Sequence, residues 1–305
     1  MSGSQAAGLA HSVQARLKNA ATLAGRPFVE LLELYAVERF LHRLGRSPHR
    51  DRFVLKGALL LRQWLGVESR PTRDIDLLGP ADLDADALRA VIVDVLRTEA
   101  EDDAVTFAEE SIVVRPIRAG STVLGLRAKF DATLGRVRLR YQVDVGLGDA
   151  IFPREVEIVL GGLLGMPMAS VRAYTVYTTL AEKLEAVVVL GSANSRTKDY
   201  YDLSALPRAL ALEGSILAES IRRTFERRAT VVPAAPLEGL SDDFAKAPLQ
   251  ANRWRAFVDK GGLRTGEPDF AGVVEAIRAF AEPVLDAVRD GRPFDRHWEP
   301  GGPWR

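Results

Sequence analysis

Thr72-Arg73-Asp74-Ile75-Asp76-Leu77 reads, as far as Leu78, as a β-strand with one buried face, on the alternation of polar and apolar side chains from Asp74 to Leu77. Side chains two apart on a strand point the same way. Asp74 and Asp76 therefore present two carboxylates on one face, while Ile75 and Leu77 anchor the other. Carboxylates so placed suit hard divalent cations, and in two-metal phosphoryl chemistry the ions sit about 3.5–4 Å apart, stabilising both the attacking and the leaving oxygen. The plainer alternative is a strand whose polar face is only solvated, and so short a motif does not decide between the two.

Composition narrows the chemistry. With 305 residues and 47% hydrophobic content, the chain has material for one large domain or two lobes. It contains no cysteine, which excludes thiol catalysis, disulfides and cysteine zinc sites and agrees with a reducing cytosol. The four histidines, His11, His42, His49 and His297, form no paired helical spacing. A catalytic metal is then held by carboxylate oxygen, which favours Mg2+, with Mn2+ as the alternative. Met1 to Ala10 carry no basic start with a long apolar run, and no apolar stretch reaches membrane-spanning length, so the expectation is a cytoplasmic protein with no membrane partner. Basic and acidic residues balance at 41 each, so a polyanion site must be a local patch.

Around the strand, helical spacing predicts two helices from Ser12 to Leu44, broken near Gly25 to Pro27, and a short helix from Phe53 to Trp64. Asp84 to Thr98 follows as a helix. Ser111–Ile117, Val123–Asp131, Arg136–Val145 and Glu155–Leu160 alternate as strands, with Leu134-Gly135 as a turn. After Tyr177 the pattern is helical: Thr178–Leu190, Lys198–Leu206, Ser215–Arg227, Arg253–Lys260 and Ala271–Asp290, with Pro283 expected to kink or interrupt the last. Val231 to Pro248 reads as a connection and the tail after Gly291 as a surface wrap. The expected organisation is N-terminal helices over residues 1–52 packing on the core, an α+β mixed-sheet core over 53–175 and a helical C-terminal lobe over 176–305.

Several residues could join the two carboxylates. Asp144, flanked by Val143 and Val145, is the best third metal ligand; Asp149 lies past two glycines. Lys56-Gly57-Ala58 opens a helix, where free N–H groups and the helix dipole favour nucleotide phosphates, although a glycine at a helix start is commonplace. Arg136, Arg138, Arg140, Gln142 and Asp144 share parity, and Arg127 and Lys129 extend that face if the hairpin register allows. Lys183 falls inside an apolar arc whose Glu182 and Glu185 point away; it either snorkels or faces an anion such as a nucleotide phosphate. Arg196, Lys198, Asp199 and Asp202 cluster at a helix start behind the capping candidates Ser192, Asn194 and Ser195, where Asp199 can equally be a dipole partner.

Taken in order, Tyr35-Ala36-Val37-Glu38-Arg39-Phe40-Leu41, Phe53-Val54-Leu55-Lys56-Gly57-Ala58, Arg70 to Leu77, Gln142-Val143-Asp144-Val145-Gly146, Ala181-Glu182-Lys183-Leu184-Glu185-Ala186 and Asn194 to Leu203 resemble the AbiEii/AbiGii type of nucleotidyltransferase toxin, a family that includes the mycobacterial MenT toxins. The resemblance spans most of the chain. It implies a DNA polymerase β-like core and transfer of a nucleoside monophosphate from an NTP with release of pyrophosphate. It further implies the 3′ end of tRNA as acceptor and a cognate antitoxin as partner. By motif position Asp74 and Asp76 bind magnesium, Lys183 contacts the nucleotide, and Asp199 or Asp202 completes the final motif. Asp144 as third carboxylate carries over more weakly. Thr72 and Arg73, inside the matching segment, join Lys56, Gly57 and Ala58 as nucleotide-binding candidates.

One departure is Gly57-Ala58 where many relatives have Gly-Gly, because a positive φ at Ala58 would be costly. Thr72 is also a candidate inhibitory phosphorylation site, since a dianion there would stand beside the metal carboxylates. If RNA is the acceptor, its affinity must come from the basic strand face together with Arg222, Arg223, Arg227 and Arg228. Transfer to a protein hydroxyl or to a small molecule such as an aminoglycoside uses the same centre, and a catalytically inactive binding protein would keep the fold. The intact Asp74, Asp76 and Lys183 argue against the last.

Overall fold

The computed structural model describes residues 3–66, 69–70, 72, 74–119, 122–234, 237–263, 266 and 269–305. The chain divides into two compact units. One comprises residues 1–59, 71–148 and 156–173; the other comprises 60–70, 149–155 and 174–305.

The first unit is built on a mixed sheet. In chain order its elements are α1 (Gly3–Ala24), α2 (Phe28–Arg46), β1 (Val54–Lys56), the start of α3 (Ala58–Leu65), β2 (Ile75–Gly79), α4 (Ala85–Arg97), β3 (Val105–Ala119), β4 (Thr122–Leu134), β5 (Val137–Leu147), β6 (Val156–Leu160) and β7 (Ala169–Ala173). The seven strands lie in the order β3-β4-β5-β2-β1-β7-β6. β2 runs parallel to β5 and β1 parallel to β7, whereas the other neighbours are antiparallel. Two expectations are corrected here. Phe53 to Trp64 is not one helix, because Val54–Lys56 enters the sheet and only Ala58–Leu65 is helical. β7 adds to the expected strands.

Alternation explains the sheet's burial. On β2 and β5, Ile75, Leu77, Val143 and Val145 are each at most 3% exposed and face the helices. α2 closes that side: Phe40 lies 5.7 Å from Phe130 and 6.2 Å from Tyr141, and Phe130 stacks on Tyr141 at 4.9 Å. Aromatic pairs of this kind add about 1 kcal/mol each beyond their buried area. The Tyr141 hydroxyl donates to the Ala36 carbonyl at 2.9 Å, so its burial leaves no orphan donor. α4 starts at an Asp84 cap that accepts from Ala87 N–H, and buries Leu88, Val91, Ile92, Val95 and Leu96. Glu38 of α2, itself buried, accepts from Gly162 N–H and Leu163 N–H and so anchors the loop between β6 and β7.

The second unit is mainly helical: α5 (Val176–Leu190), α6 (Thr197–Ala209), α7 (Gly214–Arg227), α8 (Asp242–Lys246), α9 (Pro248–Gly261) and α10 (Phe270–Arg289), with β8 (Leu212–Glu213) paired to β9 (His297–Trp298). α8 lies within the stretch expected to be only a connection. α10 continues through Pro283, its neighbours Val284 and Leu285 fully packed, so tertiary burial outweighs the lost hydrogen bond. The tail is ordered: Trp298 and Trp304 are buried against Phe280, and their indoles donate to the carbonyls of Pro207 and Phe280.

Candidate active site

In the sheet unit, strand register assembles the site. Residues paired across neighbouring strands project on the same side. Lys56 pairs with Asp76, Asp76 with Asp144, Asp144 with Arg127, and Arg127 with Arg115. Five side chains from five strands therefore form one row: Lys56, Asp76, Asp144, Arg127, Arg115. The row is on the face opposite Ile75 and Val143. Asp74 immediately precedes β2 and is half-buried, as is Asp76. Asp74 and Asp76 both act electrostatically on the Arg127 guanidinium.

Gly57 fixes how closely the chain passes Asp76. Its φ is +76°, and a Cβ added there would stand 2.1 Å from Asp76 Oδ2. The left-handed conformation and the close approach each require glycine. Ala58 takes no positive φ and begins α3 with its side chain buried, so the departure from Gly-Gly carries no backbone strain. Thr72 Oγ1 lies 3.5 Å from the Asp74 carbonyl. Arg73 lies outside the described residues.

Asp144 occupies the expected place beside Asp76, but its carboxylate is already engaged. Arg127 donates from Nε to Oδ1 at 2.7 Å and from Nη2 to Oδ2 at 2.6 Å, and Gln142 Nε2 donates to Oδ2 at 3.3 Å. Among the described residues no three acidic or histidine side chains are arranged to hold a metal ion. Half-buried Asp74 and Asp76 fit a hard divalent cation by their chemistry; Asp144 fits as a third ligand only after parting from Arg127. The hydrogen bond to Asp144 raises the pKa of Arg127 against partial desolvation, and the charges of Asp144, Asp74 and Asp76 add to the rise.

The hairpin register carries the basic face further, as parity required. Lys129 pairs with Gln142, and Asp131 with Arg140. Lys129, Arg138 and Arg140 are exposed, and Arg140 stands 3.9 Å from Asp131. An open groove of about 1110 Å3 in this unit is lined in part by Asp74, Arg115, Arg127, Lys129, Arg138 and Arg140.

In the helical unit, Lys183 does face anions. They are protein carboxylates: its Nζ lies 2.8 Å from Asp199 Oδ1 and 2.6 Å from Asp202 Oδ2. Asp199 and Asp202 are one turn apart on α6 and so share a face. Asp202 also accepts a fork from Arg70 at 3.0 and 3.1 Å, and Arg196 Nε stands 2.7 Å from Asp199 Oδ2. The Asp199 and Asp202 side chains are 1% and 0% exposed, against 12% for Lys183. Lys183, Arg70 and Arg196 thus engage the two carboxylates. Burial alone would lower the pKa of Lys183, but Asp202 and Asp199 outweigh it and hold the pKa above its ordinary value. Burial likewise opposes ionisation of Asp199, and Lys183 with Arg196 reverses that to a net lowering. Of the three expected caps, Asn194 accepts from Arg196 N–H ahead of the helix, and the helix itself, with Arg196 at its N-cap position, has no side-chain cap.

One expectation on this unit is corrected. Glu182 and Glu185 do not point to solvent: Glu185 is buried, and both hold Arg228, at 3.3 and 2.8 Å, together with Asp149 at 3.2 Å. Arg228 is therefore engaged by three acids of its own unit. Arg222 and Arg223 are likewise engaged, by Glu219 and Glu226, and Arg223 also lies over the Phe152 ring at 4.4 Å. The partners of Arg228 are 40 or more residues away, beyond the reach of any sequence spacing, whereas the Glu219 pairs at three and four residues were readable.

Solved structures with similar folds include the nucleotidyltransferase toxin MenT4 of Mycobacterium tuberculosis, at 15% identity and TM-score 0.48, covering 90% of this chain and 99% of that one. The Helicobacter pylori protein JHP933 matches at 15% identity and TM-score 0.41, covering 86% and 92%. A further H. pylori structure described as a nucleotidyltransferase matches at 14% and 0.45, covering 86% and 95%. No curated protein matches the sequence. The family description "Nucleotidyl transferase AbiEii toxin, Type IV TA system" matches residues 39–276, most of the chain, and so the protein belongs to the AbiEii family of nucleotidyltransferase toxins.

Proposed function

We propose that this nucleotidyltransferase moves a nucleoside monophosphate from an NTP to an RNA hydroxyl, the 3′ end of tRNA being the acceptor implied by resemblance, and thereby blocks translation until an antitoxin restrains it. The observation that carries this reading is the row in which Asp76, with Asp74 just before β2, adjoins a cationic track of Arg127, Arg115 and Lys129. Asp74 and Asp76 hold Mg2+ or Mn2+, which supplies charge neutralisation at the transferring phosphoryl group. Lys56 and the N–H groups after Gly57 receive phosphate oxygens, where backbone donors and helix dipole favour an anion. Lys183, the nucleotide contact implied by resemblance, is held protonated by Asp199 and Asp202 within the helical unit and needs no proton transfer of its own. Exposed Lys129, Arg138 and Arg140 attract the acceptor's phosphates, which sets affinity and orientation rather than sequence choice.

The test is a labelled-NTP assay offering tRNA, a protein extract and small hydroxylated acceptors to the full chain and to Asp76→Ala. Label in tRNA from the unmutated chain alone is the expected result. Label confined to protein or to a small acceptor overturns the RNA assignment.

A further inference from the structure

The acid nearest Asp76 in the row is not free to bind a cation, and the group that occupies it is unusual. Arg127 engages both oxygens of Asp144 with a bidentate fork. Its side chain is nevertheless 41% exposed, while that of Asp144 is 18% exposed. The guanidinium also feels the charges of Asp74 and Asp76, and it lines the groove that Asp74 lines. An arginine fork fits a phosphate as well as a carboxylate. Two partners of the same geometry can therefore compete for it at this point in the sheet: the fixed Asp144 and a triphosphate brought by the substrate.

We propose that Arg127 is an exchangeable latch, a positioning residue that neutralises Asp144 in the empty site and transfers to the nucleotide's phosphates on binding, which releases Asp144 to join Asp74 and Asp76 on the divalent ion. This rests on the nucleotide and metal chemistry proposed above. The exchange conserves charge pairing, because the arginine leaves one anion only for another and the freed carboxylate gains a cation. It also makes third-ligand supply conditional on nucleotide, so that a lone metal ion meets two carboxylates and a metal–nucleotide complex meets three. Gln142, at 3.3 Å from Asp144 Oδ2, keeps one donor on the carboxylate after the arginine has left.

The latch predicts opposite responses in two binding measurements on Arg127→Gln. Mn2+ alone, titrated by electron paramagnetic resonance, binds this variant more tightly than the unmutated chain, because Asp144 is unlatched. The Mn2+ complex of a fluorescent non-hydrolysable NTP analogue binds it more weakly, because the phosphates lose the fork. Each change is roughly tenfold, the scale of one partly exposed charge-assisted pair. Arg127→Lys keeps a charge without the fork, preserves folding if the glutamine variant melts early, and moves both affinities in the same senses by less. An arginine that merely braces the sheet would weaken both or neither. Changes of like sign, or none, overturn the latch. If the unmutated chain fails to bind the Mn2+–analogue complex, or Asp76→Ala retains it, the proposed nucleotide site falls as well.

Discussion

Gly57 lies against Asp76 so closely that no side chain fits between the turn and the carboxylate: the nearest oxygen would be 2.1 Å from a Cβ. Gly57→Ala therefore meets two obstacles, the clash and a φ of +76°. The strain costs about 1–2 kcal/mol, and relief comes only by moving the turn or the Asp76 side chain. Nucleotide transfer is expected to fall much further than a thermal melt would account for. Ala58→Gly, by contrast, should leave transfer intact. Near-normal activity in Gly57→Ala would show that the Asp76 position is not critical.

Asp199 gives a pH dependence with a defined sign. Its pKa is lowered in the folded chain from 3.8, so the unfolded chain holds the proton more tightly. Its stabilisation is then fully present above that value and is lost as pH falls through the folded pKa below it. Lys183 works at the other end, its raised pKa giving stability that is present below 10.5 and lost above. Melting temperature measured from pH 3 to 7 should drop most steeply below pH 4. Asp199→Asn should lower stability by about 3 kcal/mol at neutral pH, since it removes one partner from a buried cluster, and should flatten the acid limb. An unchanged acid limb would remove Asp199 from the account.

RNA binding separates the two arginine groups. Arg138→Gln with Arg140→Gln is expected to weaken tRNA modification through KM and to reduce the salt slope of binding by about 1 for each phosphate left without its arginine. Arg222→Gln with Arg223→Gln should change neither, because those guanidiniums are held by Glu219 and Glu226. Filter binding at several salt concentrations compares the pairs directly; a larger loss from the α7 pair would reverse the assignment.

Thr72 offers a test of regulation. Its hydroxyl sits near the Asp74 backbone, and a phosphate there adds roughly two negative charges beside the candidate metal carboxylates. Phosphorylated chain should transfer little label and Thr72→Val should stay active. A phosphoform as active as the unmodified chain would dispose of the idea.

The parity of Asp74 with Asp76, and of Arg138 and Arg140 with Asp144, was readable because period-two side-chain direction is local. Lys183 was also legible as a cation inside an apolar arc. Its partners were readable only as neighbours in sequence on α6, not as the carboxylates that hold it. β1 escaped notice because three residues are too few to display a period, and their apolar character merges with α3. The Arg127–Asp144 pair depended on hairpin register, which the Leu134-Gly135 turn hints at but strand pairing decides. Arg228 misled for the same reason at longer range: its acids come from residues 149, 182 and 185.

The five-strand row has a consequence for the safety of a cell that makes a toxin. A slip of one residue between β2 and β5 would carry Asp144 through to the helix side of the sheet, and a slip between β1 and β2 would do the same to Lys56. No single hairpin or helix contains the row's chemistry. A partly synthesised or misregistered chain thus carries the residues of this row without their alignment, so on the proposed reading transfer begins only when the strands have locked.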